Sequence, residues 1–355
     1  MSDDGAADDE DMEAYFAEME QGELPDPLSA ASLSRSLDIL ERAVPVFKPR
    51  AAPVQNGPLL KQGLQHGFGH ELVRRVYDPS ACSTLFISFC SLTEAGENPS
   101  APQHEFMGTA RRAGITHALY LCDPLQAWYL RKDREPRDPF SAVFEVVVRE
   151  IEQLRPSHVI CIGASMGGYA AARCGLAIHA ASTALSCCSS IESVVVIGFA
   201  PQVLINPNER SALNLPLMGF DTALDRLSKA ATALDLPLDS LIGLAAAAPV
   251  GSGEPVVDAA APAPSGADAA RRPSVTLELH VGDEAPSDVR EARLLELAVQ
   301  RAQLHEFLFQ DGQGGAGRAS SLAVRVLVHA QSGHTIAADL KAKGQLVETV
   351  RVHVR

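Results

Sequence analysis

Val159-Ile160-Cys161-Ile162-Gly163-Ala164-Ser165-Met166-Gly167-Gly168-Tyr169-Ala170-Ala171-Ala172-Arg173-Cys174-Gly175 joins an apolar run to an alanine-rich one through Gly-x-Ser-x-Gly-Gly. The first run has the length and β-branched character of a buried strand, and the small residues after the motif suit a helix. Gly163 and Gly167 flank Ser165 at the two places where a Cβ would collide with neighbouring backbone, so the chain can turn more tightly than ordinary side chains allow. Such a turn pushes the Ser165 hydroxyl out at the C-terminal edge of a sheet. It also sets the Met166 amide at a helix N-terminus, where a developing negative charge is favoured. Ser165 is therefore the candidate nucleophile.

Outward from this turn, six apolar runs alternate with helix-like segments. Leu85 to Cys90, Ala118 to Cys122, His158 to Ile162, Val194 to Ile197, Val275 to Val281 and Ala323 to Val328 read as strands. Leu33 to Arg42, His104 to Ala113, Phe140 to Leu154, Gly168 to Ile178, Asp288 to His305 and Thr335 to Lys343 read as helices. Continuous apolar strands between helices predict an α/β fold with a mainly parallel sheet flanked by helices on both faces. Three organisational units are expected: an acidic disordered tail over 1–30, a helix and connector over 31–69, and the α/β domain over 70–355. A small helical cap is expected over about 207–245, and a flexible Ala/Pro/Gly-rich insertion over 246–273. Gly312 to Ser320 reads as a shorter loop of the same composition.

The net charge of −14 is unevenly placed. Residues 1–26 hold 11 acidic side chains and neither Lys nor Arg, which leaves about −3 over the rest. A nearly neutral folded part without a basic stripe argues against nucleic-acid binding. Tyr15 and Phe16 among the acids leave room for a protein partner that binds the tail. No apolar run reaches the roughly 20 residues that span a bilayer. The seven cysteines are odd in number and mostly lie in apolar stretches, as small buried side chains of a reducing compartment. A cytoplasmic location is expected, and no Cys/His spacing suggests zinc.

A serine hydroxyl is a poor nucleophile near neutral pH and needs a base within reach, itself oriented by a third group. After the fifth strand, His280-Val281-Gly282-Asp283-Glu284 puts a carboxylate at a strand end. After the sixth, Ala330-Gln331-Ser332-Gly333-His334-Thr335 puts a histidine on a glycine-containing loop. His334 is the favoured base, with His329 its nearest rival. Asp283 is the favoured acid. Asp288 is the alternative, although the Asp288-Val289-Arg290-Glu291 spacing of a helix start also explains it as an N-cap, and Asp283 sits nearer the strand end.

Gly163 to Gly168, with Gly282-Asp283 and Ser332-Gly333-His334 in that order, resembles the α/β-hydrolase superfamily of serine esterases over roughly residues 70 to 350. The resemblance implies Ser165 as nucleophile, His334 as base and then acid, and Asp283 as orienting carboxylate. It implies an oxyanion hole from the Met166 amide and a second amide near Ser91-Leu92, Leu92 being preferred. Phe89-Cys90-Ser91-Leu92-Thr93 departs here from the His-Gly or Gly-Gly pair of many members. Cleavage of a small carboxylic ester or thioester through an acyl-enzyme is expected, with neither metal nor organic cofactor. An acyltransferase using the same intermediate is the alternative, as is a non-catalytic hydrolase-fold binding subunit. Trp128 and Tyr129, beyond the second strand, are candidates for a wall of the substrate cleft, or else aromatic packing against the core.

Overall fold

The computed structural model describes residues 28–43, 73–78, 82–92, 104–123, 128–130, 140–182, 186–213, 215, 241–242, 244, 273–310 and 322–354 of the 355-residue chain. The acidic tail, the connector up to residue 72, most of the expected cap, the 246–272 segment and Gly312 to Ser320 lie outside them.

Apolar residues on both faces of consecutive positions force a strand to be covered on both sides, and the sheet obeys this. Its seven strands are β1 (Val73–Val76), β2 (Thr84–Phe89), β3 (His117–Leu121), β4 (His158–Ala164), β5 (Ser193–Phe199), β6 (Ser274–Gly282) and β7 (Leu322–His329), in the spatial order β1-β3-β2-β4-β5-β6-β7. Only β1 runs antiparallel, pairing Val73 with Leu121; every other neighbour is parallel. All six residues of β2 and all five of β3 are buried. The mainly parallel α/β sheet expected from the sequence is therefore present, with one short antiparallel strand added at its edge.

The helices are α1 (Ala30–Ala43), α2 (Met107–Ala113), α3 (Ser141–Leu154), α4 (Met166–Ala181), α5 (Pro207–Ala212), α6 (Pro286–Gln310), α7 (Ile336–Ala342) and α8 (Leu346–Arg351). Strand alternation sorts the core into two layers. Leu85, Ile87, Phe89, Val159 and Cys161 pack with residues of α1, α3, α4 and α6 on one face. Phe86, Ile160, Ile162, Ala118 and Tyr120 pack with α2, α7 and α8 on the other. Helix α4 is buried along nearly its whole length, which is why its sequence is Ala- and Gly-rich: small side chains let it lie close against β4 and β5. Among the described residues no helix is long and apolar enough to cross a membrane.

Candidate active site

Strand β4 ends at Ala164 and α4 begins at Met166, leaving Ser165 alone to make the turn. Its backbone sits at φ 50°, ψ −118°, a conformation that side chains rarely adopt and that costs on the order of 1–3 kcal/mol. The surroundings hold it there. The Ser165 amide donates to the Phe199 carbonyl at the end of β5 (2.9 Å), and the Ser165 carbonyl accepts the Tyr169 amide (3.1 Å). A Cβ on Gly163 would meet the Gly167 backbone, and one on Gly167 would meet the Phe89 and Cys90 carbonyls at the end of β2. Both positions therefore exclude side chains, and the half-buried Ser165 hydroxyl stands at the C-terminal edge of the sheet.

His334 reaches it from the far side. Beyond β7 the chain turns back through Gln331, itself at φ 56°, and places His334 Nε2 3.2 Å from Ser165 Oγ. The other ring nitrogen, Nδ1, lies 2.7 Å from Asp288 Oδ2. Asp288 is buried and His334 half-buried. The hydrogen bond to Asp288 raises the His334 pKa above its ordinary value against the opposing effect of burial, and the charges of Asp288 and Glu291 add to the rise.

Asp283, the acid favoured from sequence, is not brought to the histidine. It is exposed, its amide donates to the His329 carbonyl (3.0 Å), and its carboxylate accepts the Ser332 amide (3.4 Å). It thus ties the loop carrying His334 to the end of β6. Pro286 explains the exchange. It opens α6, a place where proline's missing N–H costs nothing, so Asp288 falls inside the first turn instead of capping it. That turn carries the Asp288 carboxylate back to the histidine loop. His329, the rival base, is occupied elsewhere: its Nε2 lies 2.9 Å from His280 Nδ1, and the two rings stack. Burial and the neighbouring His329 push the His280 pKa down to about 4.

The Met166 amide opens α4, in the first turn where backbone donors have no helical carbonyl to meet. On the opposing loop the Ser91 amide and hydroxyl both donate to Glu105 Oε1, the amide at 3.1 Å. Ser88 Oγ, at the end of β2, donates to the Glu105 carbonyl (3.0 Å). Burial pushes the Glu105 pKa up while its Ser91 bonds oppose the rise. With the Ser91 amide engaged, the half-buried Leu92 carries the next amide along the loop.

Trp128 and Tyr129 are core residues and not a cleft wall; both are 0% exposed. Consecutive positive φ angles, 52° and 61°, turn the pair inward. Trp128 Nε1 donates to Gln202 Oε1 (2.5 Å), and the Tyr129 hydroxyl bridges the Cys90 and Leu121 carbonyls (3.0 Å each). Sequence spacing also missed a cluster. Cys90, His104 and Cys122 form the one group among the described residues whose donor atoms converge as metal ligands do.

No family model matches the chain, and no curated protein matches it in sequence. Solved structures resemble it distantly. Brefeldin A esterase, a bacterial homologue of human hormone-sensitive lipase, is 12% identical over 95% of this chain and 91% of its own, with a TM-score of 0.42. An esterase of Pyrobaculum calidifontis is 11% identical over 95% and 97%, with a TM-score of 0.41. The capsule O-acetyltransferase of Neisseria meningitidis serogroup A is 12% identical over 79% and 93%, also with a TM-score of 0.41.

Proposed function

We propose that the chain is a serine hydrolase that cleaves a carboxylic ester or thioester through an acyl-enzyme on Ser165. One observation carries this reading: a serine on a strained strand-to-helix turn lies 3.2 Å from an imidazole whose other nitrogen lies 2.7 Å from a buried carboxylate. Each part has a task. Neutral His334 accepts the Ser165 proton at Nε2 as Oγ attacks the acyl carbon. Asp288 holds the Nδ1–H, fixes the tautomer and stabilises the imidazolium that forms. The Met166 amide, at the positive end of α4, donates to the oxyanion, with the Leu92 amide as the second donor. The imidazolium then protonates the departing alcohol or thiol. In the second half, His334 takes a proton from water as the water oxygen attacks the acyl carbon. Collapse returns the proton to Ser165 and frees the carboxylic acid.

A fluorophosphonate probe tests the reading directly, because it phosphonylates only a serine so activated. Folded wild-type protein is expected to be labelled and Ser165→Ala is not. Absence of labelling in folded wild type, or equal labelling of both proteins, would overturn it.

A further inference from the structure

At the start of the Ser91-Leu92 loop, two parallel strands are each followed by a cysteine. Phe89 of β2 is in register with Leu121 of β3, so the next residues, Cys90 and Cys122, stand side by side, and the Cys90 amide donates to the Leu121 carbonyl (3.0 Å). Their sulfurs lie 2.7 Å apart, and both residues are buried. A third donor arrives from the segment that enters α2: His104 Nδ1 lies 3.2 Å from Cys122 Sγ. The three donor atoms all fall within 4.8 Å of one another. Nothing in the proposed hydrolysis uses them.

We infer that Cys90, His104 and Cys122 form a binding site for a thiophilic divalent cation of the zinc class. The donor set selects the ion: two thiolates and an imidazole suit zinc, whereas magnesium and calcium require oxygen ligands. The charges also balance. Binding displaces one proton from each thiol to solvent, and the two thiolates neutralise the dication, so the filled site adds no net charge to a buried position. Zinc–sulfur bonds of about 2.3 Å at tetrahedral angles set the sulfurs roughly 3.8 Å apart, so the pair opens by about an ångström through side-chain rotation. Three protein donors leave the fourth position to a water molecule.

The location gives the ion a purpose. The Cys90 carbonyl is one of the two groups against which Gly167 packs, and Ser91 and Leu92 follow directly. An ion linking β2, β3 and the segment before α2 braces the start of the Ser91-Leu92 loop. It acts as a positioning device and touches no reacting atom.

Cobalt(II) is the probe. Full-length protein kept under a thiol reductant and then desalted anaerobically is titrated with cobalt(II) and read by absorption. One equivalent is expected to produce thiolate-to-cobalt charge transfer together with the visible bands of tetrahedral cobalt, and one equivalent of zinc to abolish both. Cys90→Ser and Cys122→Ser should each lose at least half of the charge-transfer intensity. His104→Ala should weaken cobalt binding at least tenfold, and Cys82→Ser should leave the spectrum unchanged. Wild-type protein with a native circular-dichroism spectrum but no cobalt bands would overturn the inference, whether or not the serine variants fold. So would bands that persist in both serine variants, or a Cys90–Cys122 disulfide found by peptide mapping of the reductant-kept protein. The spectrum does not depend on Ser165 labelling, so this site and the proposed hydrolysis stand or fall separately.

Discussion

Asp288 and Glu291 stand three residues apart in the first turns of α6, so their carboxylates leave the helix on one side and divide its surroundings between them. Asp288 takes the His334 ring. Glu291 takes the Arg210 guanidinium at 2.7 Å and the amides of Val203 and Leu204 at 3.0 and 3.1 Å. One helix start thus orients the histidine and anchors the chain leaving β5. Both carboxylates raise the His334 pKa.

Asp288→Asn should lower the rate of fluorophosphonate labelling, and of activated-ester hydrolysis, by a factor on the order of 10² to 10⁴. Asp283→Asn, whose carboxylate meets the Ser332 amide and not the His334 ring, should change both by less than about threefold. Comparing the two rates in one preparation decides which carboxylate serves the histidine. A larger loss in Asp283→Asn would return the role to Asp283.

Only neutral His334 can accept the serine proton, so kcat/KM should rise with pH through an inflection above the ordinary histidine value of 6.5. Asp288→Asn removes the main cause of the upward shift and should move the remaining inflection toward acid. The linkage to stability has the opposite sense. A raised folded pKa stabilises the fold fully below the unfolded value, and that contribution fades as pH rises through the folded one. A wild-type inflection at or below 6.5 would contradict the observed pairing.

Gly167→Ala should cost about 1–3 kcal/mol and abolish labelling, because its methyl meets the Phe89 and Cys90 carbonyls and nothing flexible can yield. Gly108→Ala, where a Cβ meets nothing within 4 Å, is the control and should leave the urea midpoint close to wild type. Equal midpoints for the two variants would show that the turn has slack.

Glu291→Gln should lower unfolding free energy by about 3–5 kcal/mol in urea, since it removes the carboxylate 2.7 Å from the Arg210 guanidinium, which is 1% exposed. Burial pushes the Glu291 pKa up while Arg210 opposes the rise. A loss below about 1 kcal/mol would mean that water reaches the arginine once the charge is gone.

The central strands were legible because burial on both faces fills them mainly with apolar residues, so β2 to β6 stand out as apolar runs despite a few buried polar ones such as Ser88 and His280. Val73-Arg74-Arg75-Val76 did not: an edge strand tolerates charge, and four residues carry too little pattern. The Ser165 turn was legible because only glycine satisfies its two close approaches. The acid was harder. Distance from the strand end favoured Asp283, and only the helical turn begun by Pro286 swings Asp288 to the histidine. Trp128 drew notice as the only tryptophan, but whether a ring faces a cleft or the core was settled by two backbone angles that composition does not encode. Cys90, His104 and Cys122 have separations that match no metal motif; strand register pairs the two cysteines, and the segment entering α2 brings the histidine.

The histidine loop hangs from β7, which lies at the rim of the sheet with Leu327 and Val328 largely open to solvent at 39% and 44%. A strand that, among the described residues, pairs along one side is among the first to detach as conditions worsen. When it lifts, the imidazole leaves with it, while Ser165, anchored deep in the central strands, keeps its shape. Reactivity of the serine should therefore be lost at a milder denaturant concentration than the sheet itself, making it a gauge of local fraying in a chain that still looks folded.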